Sequence, residues 1–491
     1  MSEQATSLES PSTAGLSAAV ARPPPRSLRL HALAMRNLLR NRRRSMATLL
    51  ALVFGALAVL LFGGYAQSIR LGLETNIVRT VGHLQIQHPD YLLFGAGDQQ
   101  NYSVSEPDKI IAALQSDPYI APRLNVASPF LTFNGIAGHF AAGLSKTVLV
   151  LGKVIEDESR MHQWNDYALP IAAPPTKLLG TPLDSVVVGT GVARILQLCD
   201  ALSLSDCPRP TSTPPATTAL QTPDDLQTLA ATAMQGTPPV HDTQLELLAA
   251  TASGAPNVAK LHLLAAERQG TRSIDDTYIG IHLPQAQRLV YGANAEPRAS
   301  AVLLQLRHSA DLEDVRNRVQ VLLAQKFPQQ PLAINDFKLL NPSFTQTVGM
   351  FDAIFGFISV LIAVIVMFTV GNTMNMAVVE RTVEIGTLRA IGVRQSGIRR
   401  IFVLEGAILG SVGALIGLVS AMAGAVAIEW LGLTWLPPGY VQPMPLSIHL
   451  WGEWQLIAGT VVSLIIIASL SSYWPARRAS QLEIVESLRH V

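Results

Sequence analysis

The chain has 491 residues, of which 49% are hydrophobic and 14% charged, and a formal net charge of +1. Soluble domains carry about 25% charged residues, so part of this chain is not solvated by water. The near-neutral balance argues against a nucleic-acid-binding surface or an acidic tail.

Residues 1–27, rich in Ser, Ala and Pro, have the composition of a disordered N-terminus. From 28 to 45 the pattern changes: Leu28, Ala32, Met35 and Leu39 recur at helical spacing, with Arg29, Arg36 and Arg40 on another side. That predicts an amphipathic helix on the cytosolic membrane surface. Residues 46–66 are the first of four apolar runs that can cross a bilayer, which takes about 20 residues. The others are 349–371, 401–428 and 454–474, and none of the four contains Lys or Arg. The first run is too long, and its basic leader too far from the usual pattern, for a cleaved signal peptide. We therefore expect a retained anchor.

Residues 67–348 alternate apolar and polar positions in several places, as strands do. HLQIQH (83–88) places Leu84 and Ile86 on one face, and AVLLQLRH (301–308) reads as another strand. Ser309 or Asp311 can then cap a helix carrying Leu312, Val315, Val319 and Leu322, which ends before Pro328 and is followed by the strand LAIND (332–336). A hairpin is expected through Leu245 and Leu247, the turn 253–257, and Leu261 and Leu263. The expected fold is a four-helix membrane protein with a large α+β domain of split β-α-β character between helices 1 and 2. Within it, 201–240 is a Pro- and Thr-rich surface insertion without an apolar face. Cys199 and Cys207 are the only cysteines. An oxidising compartment favours a disulfide between them over two free thiols.

Orientation follows from the distribution of Arg. The segment before the first span, the link between spans two and three and the tail after span four are Arg-rich, whereas the link between spans three and four has no Lys or Arg. Both termini are expected in the cytosol, and 67–348 on the exoplasmic side of a bacterial inner membrane.

No G-x-x-x-x-G-K-[ST] loop, H-E-x-x-H, paired C-x-x-C or G-x-S-x-G occurs, so nothing points to nucleotide binding, a metal site or a nucleophile. Gly189-Thr190-Gly191 reads only as a turn, and His83 and His88 as ordinary polar residues. Catalytic, cofactor and metal sites are expected to be absent from this chain.

The informative stretch is 375–400, which is longer than a tether needs to be. Ile385, Leu388 and Ile391 form an apolar stripe bordered by Glu384 and Arg389, Gly392 can stop the helix, and Ser396 can cap the next span. A short amphipathic helix on the cytosolic face is what a soluble motor would push on, and Glu380 and Glu384 disfavour a lipid-resting role. Glu405 lies inside span three, where a carboxylate is unfavourable unless it pairs. Either a structural pairing with a nearby Arg or a direct coupling role accounts for it. Gly406, Gly410, Gly413, Gly417 and Ala421 form a ridge that permits close helix approach.

This segment resembles the coupling region of FtsX-like (MacB-type) ABC transporter permeases, the family of macrolide-exporter and lipoprotein-releasing permeases. The matching residues are Glu380-Arg381, Glu384-Ile385-Gly386, Leu388-Arg389, Ile391-Gly392 and Leu404-Glu405. The tail from Trp474 to Ser480, with Glu486 to Arg489, is similar too, although Ile484 stands where the family usually has proline. GHLQI (82–86) and IHLPQAQRL (281–289) resemble the family's exoplasmic part, and 201–240 departs from it. The resemblance implies a partner ATPase in the cytosol that binds ATP and Mg, and a second permease copy or homologue. It also implies helices that act as levers on the exoplasmic domain. Three readings follow. One is export or extraction of a lipid-linked or amphipathic substrate, with a periplasmic or lipoprotein partner. Another is mechanical control of an envelope partner such as a cell-wall hydrolase. The last is a passive anchor, which the coupling helix disfavours.

Overall fold

A computed structural model describes residues 42–95, 97–139, 143–171, 175–204, 244–436, 439, 441 and 443–482. The expected N-terminal disorder, most of the 28–45 helix, nearly all of the 201–240 insertion, and Ile484 with the segment from Glu486 to Arg489 lie outside these residues. By contacts the chain forms a helical unit (residues up to Leu61, Gly356–Ala423 and from Leu450 on) and a sheet unit (Phe62–Phe355 and Gly424–His449).

The chain enters through α1 (Arg42–Val81) and β1 (Leu84–Gln87), then α2 (Pro107–Ser116), β2 (Leu124–His139), β3 (Leu144–Lys153) and α3 (Ile155–His162). It continues through β4 (Ser185–Gly189), α4 (Thr190–Ile195), β5 (Gln244–Ala250), β6 (Pro256–Glu267), β7 (Tyr278–His282) and α5 (Leu283–Tyr291). Then come β8 (Ala301–Leu306), α6 (Leu312–Lys326), β9 (Ala333–Asp336) and the long helix α7 (Pro342–Glu380). It closes with α8 (Thr382–Ala390), α9 (Gln395–Trp430) and α10 (Trp454–Gln481).

Four helices, α1, α7, α9 and α10, are long and apolar enough to cross a membrane. They overrun the spans expected from hydropathy. α1 has 40 residues, about 60 Å at 1.5 Å per residue, twice a hydrocarbon core of about 30 Å. Hydropathy marks only the stretch that lipid requires to be apolar, whereas helical hydrogen bonds continue wherever side chains find partners. Residue 67 is therefore mid-helix rather than a domain boundary, α7 begins before 349 and continues past 371, and α10 runs through Pro475 to Gln481. Exposed Trp454 and Trp474 lie near the two ends of α10, about 30 Å apart by helical rise, the separation of interfacial aromatic belts.

In the helical unit the glycine ridge is consumed within the chain. A Cβ at Gly413 would lie 2.5 Å from Leu52 Cβ, and one at Gly417 would lie 2.4 Å from Ala56 Cβ, both on α1. Against α10, a Cβ at Gly406 would meet Ser472 Oγ and, at 2.8 Å, the Ala468 carbonyl oxygen, and one at Gly410 would lie 3.0 Å from Ala468 Cβ and 3.1 Å from Ile465 Cα. By contrast α7 is the least covered helix: 11% of its most apolar stretch is buried, against 50% for α9.

In the sheet unit the strand order is β9-β1-β8-β2-β3-β7-β4-β6-β5, and β5 also pairs with β2. Six strands (β2, β3, β7, β4, β6, β5) therefore close into a barrel, while β9, β1 and β8 extend from the first half of β2 as an open sheet. The expected hairpin is present, with Leu245 opposite Leu261. The split β-α-β is present too: β8 and β9 flank β1, and α6 crosses between them. Barrel closure by β2 was not legible, because Pro129 interrupts its pattern. β3 pairs only from Phe130 onward, so Pro129 has a strand on one side alone, where a missing N–H is tolerated.

Two cores result. Leu131, Val150, Val186, Leu247, Leu261 and Ile279 fill the barrel beneath α5. Leu84, Ile86, Val302 and Leu304 meet Ile110 and Leu114 of α2 and Val315 and Val319 of α6. Neither Ser309 nor Asp311 caps α6 through its side chain; a 3-10 turn, Ser309–Asp311, leads into it instead. The Gly189-Thr190-Gly191 turn is more than punctuation. The buried Asp275 carboxylate accepts from Thr190 N, Thr190 Oγ1, Gly191 N and Gln269 N. His83 is fully buried, accepts from Leu306 N at 3.0 Å and contacts Ser309 Oγ at 3.0 Å, and burial pushes it down to about 4. It is a neutral structural histidine.

At the open sheet, Arg318 of α6 donates twice to Asp117 Oδ2 (2.7 and 3.0 Å), and Asp117 Oδ1 accepts from Tyr119 N and Ile120 N. The Arg318 hydrogen bonds, ahead of the backbone donors, hold the Asp117 carboxyl below its ordinary value. A depressed carboxyl contributes stability above its unfolded pKa, about 3.9, that is lost as pH falls through the folded value. The melting temperature of Asp117→Asn should therefore fall less than that of the parent between pH 5 and pH 3. Parallel melting curves would show the attribution to be wrong.

Candidate functional site

The link between α7 and α9 is built as an elbow. α7 stops at Glu380 because Arg381 leaves the helical region (φ −108°, ψ 19°), and α8 starts at the next residue. α8 ends in a Schellman arrangement: Val393 N donates to Leu388 O at 3.0 Å and Gly392 N to Arg389 O at 3.0 Å. Gly392 adopts φ +99°, the left-handed conformation such an ending needs and glycine supplies without strain. α9 starts at Gln395, so Ser396 lies inside the helix rather than capping it.

Both ends of α8 are pinned to neighbouring helices. Arg381 Nη1 donates to Glu405 Oε1 of α9 at 3.0 Å, with side chains 11% and 2% exposed. Arg389 Nη1 donates to the Leu482 carbonyl at 2.5 Å, one residue past α10. Between the pins Ile385 and Gly386 are buried, Ile385 in the core formed by Leu52, Val370, Met374, Phe402, Leu464 and Ala476. Leu388 packs partly buried against the same core.

This corrects the expected stripe. Ile385 and Leu388 face the chain's own bundle, because a helix held at both ends must bury the side that faces its supports. Outside stand Val383, Thr387 and Ile391, at i, i+4 and i+8, with Glu380 exposed on the preceding turn and Glu384 half-buried beside them. Ile391 is 74% exposed. Val383, 46% exposed, stands on the same side. Nothing in the spacing alone could separate the two faces, since a short helix with apolar residues all round offers two candidate stripes.

Glu405 sits in α9 facing Arg381, so the structural pairing is present. Cys207 lies outside the described residues, and the expected bridge to Cys199 with it. Among the described residues no group of three or more His, Cys, Asp or Glu is placed to hold a metal ion.

Residues 356–484 match the FtsX-like permease C-terminal family, a stretch that contains the elbow and both its pins. An uncharacterised ABC transporter permease of Methanocaldococcus jannaschii is 25% identical over 215 residues, 44% of this chain and 51% of the relative. The lipoprotein-releasing system transmembrane protein LolC of Haemophilus influenzae is 29% identical over 168 residues, 34% of this chain and 41% of the relative. The macrolide export ATP-binding/permease protein MacB of Sodalis glossinidius is 28% identical over 160 residues, 32% of this chain and 23% of the relative. The chain thus spans about half, or less, of the length of these relatives.

Proposed function

We propose that this chain, whose residues 356–484 match the FtsX-like permease C-terminal family, is the permease subunit of an ABC transporter driven by a separate cytosolic ATPase. The observation that carries the reading is the elbow: a short helix clamped to α9 and α10, with Val383, Thr387 and Ile391 turned outward. A push on that ridge reaches two membrane helices through directed bonds. The Arg distribution supports placing the elbow and both termini in the cytosol and the sheet unit outside a bacterial inner membrane. ATP and Mg would be bound by the partner, because the sequence has no phosphate-cradling loop.

The substrate class we assign is a lipid-linked or amphipathic molecule, exported or extracted at the exoplasmic side, as the names of the LolC and MacB relatives suggest. The sparse cover on α7 leaves an apolar face for lipid and for a second permease copy or homologue. The alternative, mechanical control of an envelope partner such as a cell-wall hydrolase, is supported by helices about twice as long as a bilayer requires.

The ridge supplies the test. Burying a large aliphatic anchor in a protein contact typically contributes about 2 kcal/mol or more, roughly thirtyfold in affinity. Ile391→Asp should abolish co-purification of the ABC ATPase that accompanies the unmodified chain from its native membrane, while insertion and folding persist. Changing Gln395 and Ser396 to Ala, beyond the end of α8, should leave assembly intact. Leu388→Asp is the less clean probe, since it also disturbs the chain's own core. Full assembly and full ATP-dependent activity of Ile391→Asp would make α8 a passive tether.

A further inference from the structure

α1 passes into β1 through a single step at Gly82-His83. Gly82 has φ +75°, and a Cβ there would lie 2.8 Å from the Leu304 carbonyl oxygen, so the step admits only glycine. One covalent step of this kind is a pivot. Gln305 Nε2 of β8 donates to Val78 O beside it at 3.1 Å, which ties the last turn of α1 to the sheet at one point and leaves the preceding turns to be held by other contacts.

Two charged side chains on the preceding turns of α1 are buried: Glu74 is 8% exposed and Arg79 7%. Burying charge is unfavourable unless directed bonds compensate, and bonds from both reach one short loop, residues 163–169. The Tyr167 hydroxyl donates to Glu74 Oε1 at 2.7 Å, and Arg79 Nε donates to the Trp164 carbonyl at 2.7 Å.

The loop is tied as firmly on its other side. Trp164 Nε1 donates to the Arg307 carbonyl at 3.0 Å, Ser309 N donates to Asp166 Oδ2 at 2.9 Å, and His308 Nδ1 lies 2.7 Å from Asp166 Oδ1. Asn165 braces it from within, donating to Leu169 O and accepting from Leu169 N. The His83 ring stands edge-on to Trp164 at 5.0 Å. An apolar contact tolerates sliding and rotation, whereas two directed bonds about a turn apart on α1 fix both its axial position and its azimuth.

We propose that loop 163–169 is a latch that locks α1 onto the sheet and turns the Gly82 pivot into a fixed arm, with Tyr167–Glu74 and Arg79–Trp164 carbonyl as its pins. Glu74, Arg79 and Tyr167 are positioning residues: they hold the turns of α1 around Glu74 in register with the strands, beside the bond from Gln305 to Val78 O. The latch deepens the transmission reading above and rests on it for its purpose, but its existence is tested without any ATPase.

The test is the distance distribution between spin labels at Arg70→Cys and Gln320→Cys in the full chain in lipid nanodiscs, with Cys199→Ser and Cys207→Ser so that only the introduced cysteines are labelled. The parent should give a narrow distribution. Tyr167→Phe and Glu74→Leu should each widen it at least twofold, while Glu74→Gln, which can still accept from Tyr167, should restore the parent width. A second label pair, Lys260→Cys and Gln320→Cys, lies outside α1 and should keep its width throughout. Parent width in both Tyr167→Phe and Glu74→Leu overturns the latch. So does equal broadening of the second pair, which marks a general loosening of the fold. Failure of the Ile391→Asp test would sink the permease reading and leave these widths unchanged, so the two ideas fail separately.

Discussion

Glu405→Ala should destabilise the helical unit by about 3–5 kcal/mol, because it leaves the Arg381 guanidinium in a buried site without its carboxylate. The premise is geometric: the pair is 3.0 Å apart, with Glu405 2% exposed. Its value lies less in net stability than in what it holds. Replacing both partners by apolar residues of similar size often restores stability, so Arg381→Leu with Glu405→Leu should recover much of the melting temperature. It should not recover transmission, since α8 would then have lost the pin at its N-terminal end. The measurement is thermal unfolding in nanodiscs beside the ATP-dependent substrate movement that the proposed function calls for. If Glu405→Ala melts with the parent, the pair is not the clamp described here. If the double Leu variant regains activity along with stability, the charge pair serves packing alone.

The second large effect belongs to the sheet unit. Glu158→Ala should destabilise it by about 3–5 kcal/mol, leaving the Lys153 ammonium stranded. Lys153 Nζ lies 2.5 Å from Glu158 Oε1, with side chains 9% and 8% exposed, and 5.6 Å from the centre of the Tyr278 ring. Burial pulls the ammonium down, but the Glu158 carboxylate, Tyr278 and Glu267 outweigh it and hold Lys153 above its ordinary value. A raised lysine contributes stability fully present below its unfolded pKa, about 10.4, and lost only as pH rises through the higher folded value. The parent pair should therefore contribute in full from pH 6 to pH 9, whereas in Glu158→Ala burial pulls the stranded lysine down, so the deficit should be largest at pH 6 and shrink as pH rises and the lysine deprotonates. Limited proteolysis of the intact chain reads it as faster cleavage between α3 and β7. Parent-like resistance at pH 6, where the lysine is charged, would show that Lys153 is solvated.

The two pairs differ in how far the residues announced them. Arg381 and Glu405 both stand in the stretch whose motifs resemble the permease family, and the need of a buried carboxylate for a partner follows from its position in an apolar run. Lys153 and Glu158 carry no such signal, since a lysine ending a strand and a glutamate in the next helix look like two solvated charges. Only the packing of α3 against β2 and β8, through Met161 on Val126, Phe130, Ala301 and Leu303, removes them from water. The latch is less legible still. Glu74, Arg79 and Tyr167 are ordinary polar residues on paper, more than eighty positions apart, and lie next to each other because β1 and β8 pair.

By itself the sequence determined whatever depends on local composition and period. Four apolar runs prescribed four membrane-crossing helices, since lipid forbids unpaired backbone groups. Alternation prescribed the hairpin of β5 and β6 and the β8-α6-β9 unit, and Gly392 prescribed the end of α8. The tertiary structure decided what depends on neighbours. It closed the barrel through β2, a strand that Pro129 hides, and extended α1 and α7 beyond the hydropathy limits, because helical hydrogen bonding does not stop where lipid does. It assigned the glycine ridge to α1 and α10 of the same chain. It also turned Ile385 and Leu388 inward and Ile391 outward, since which side of a short helix is buried is set by the elements that hold it.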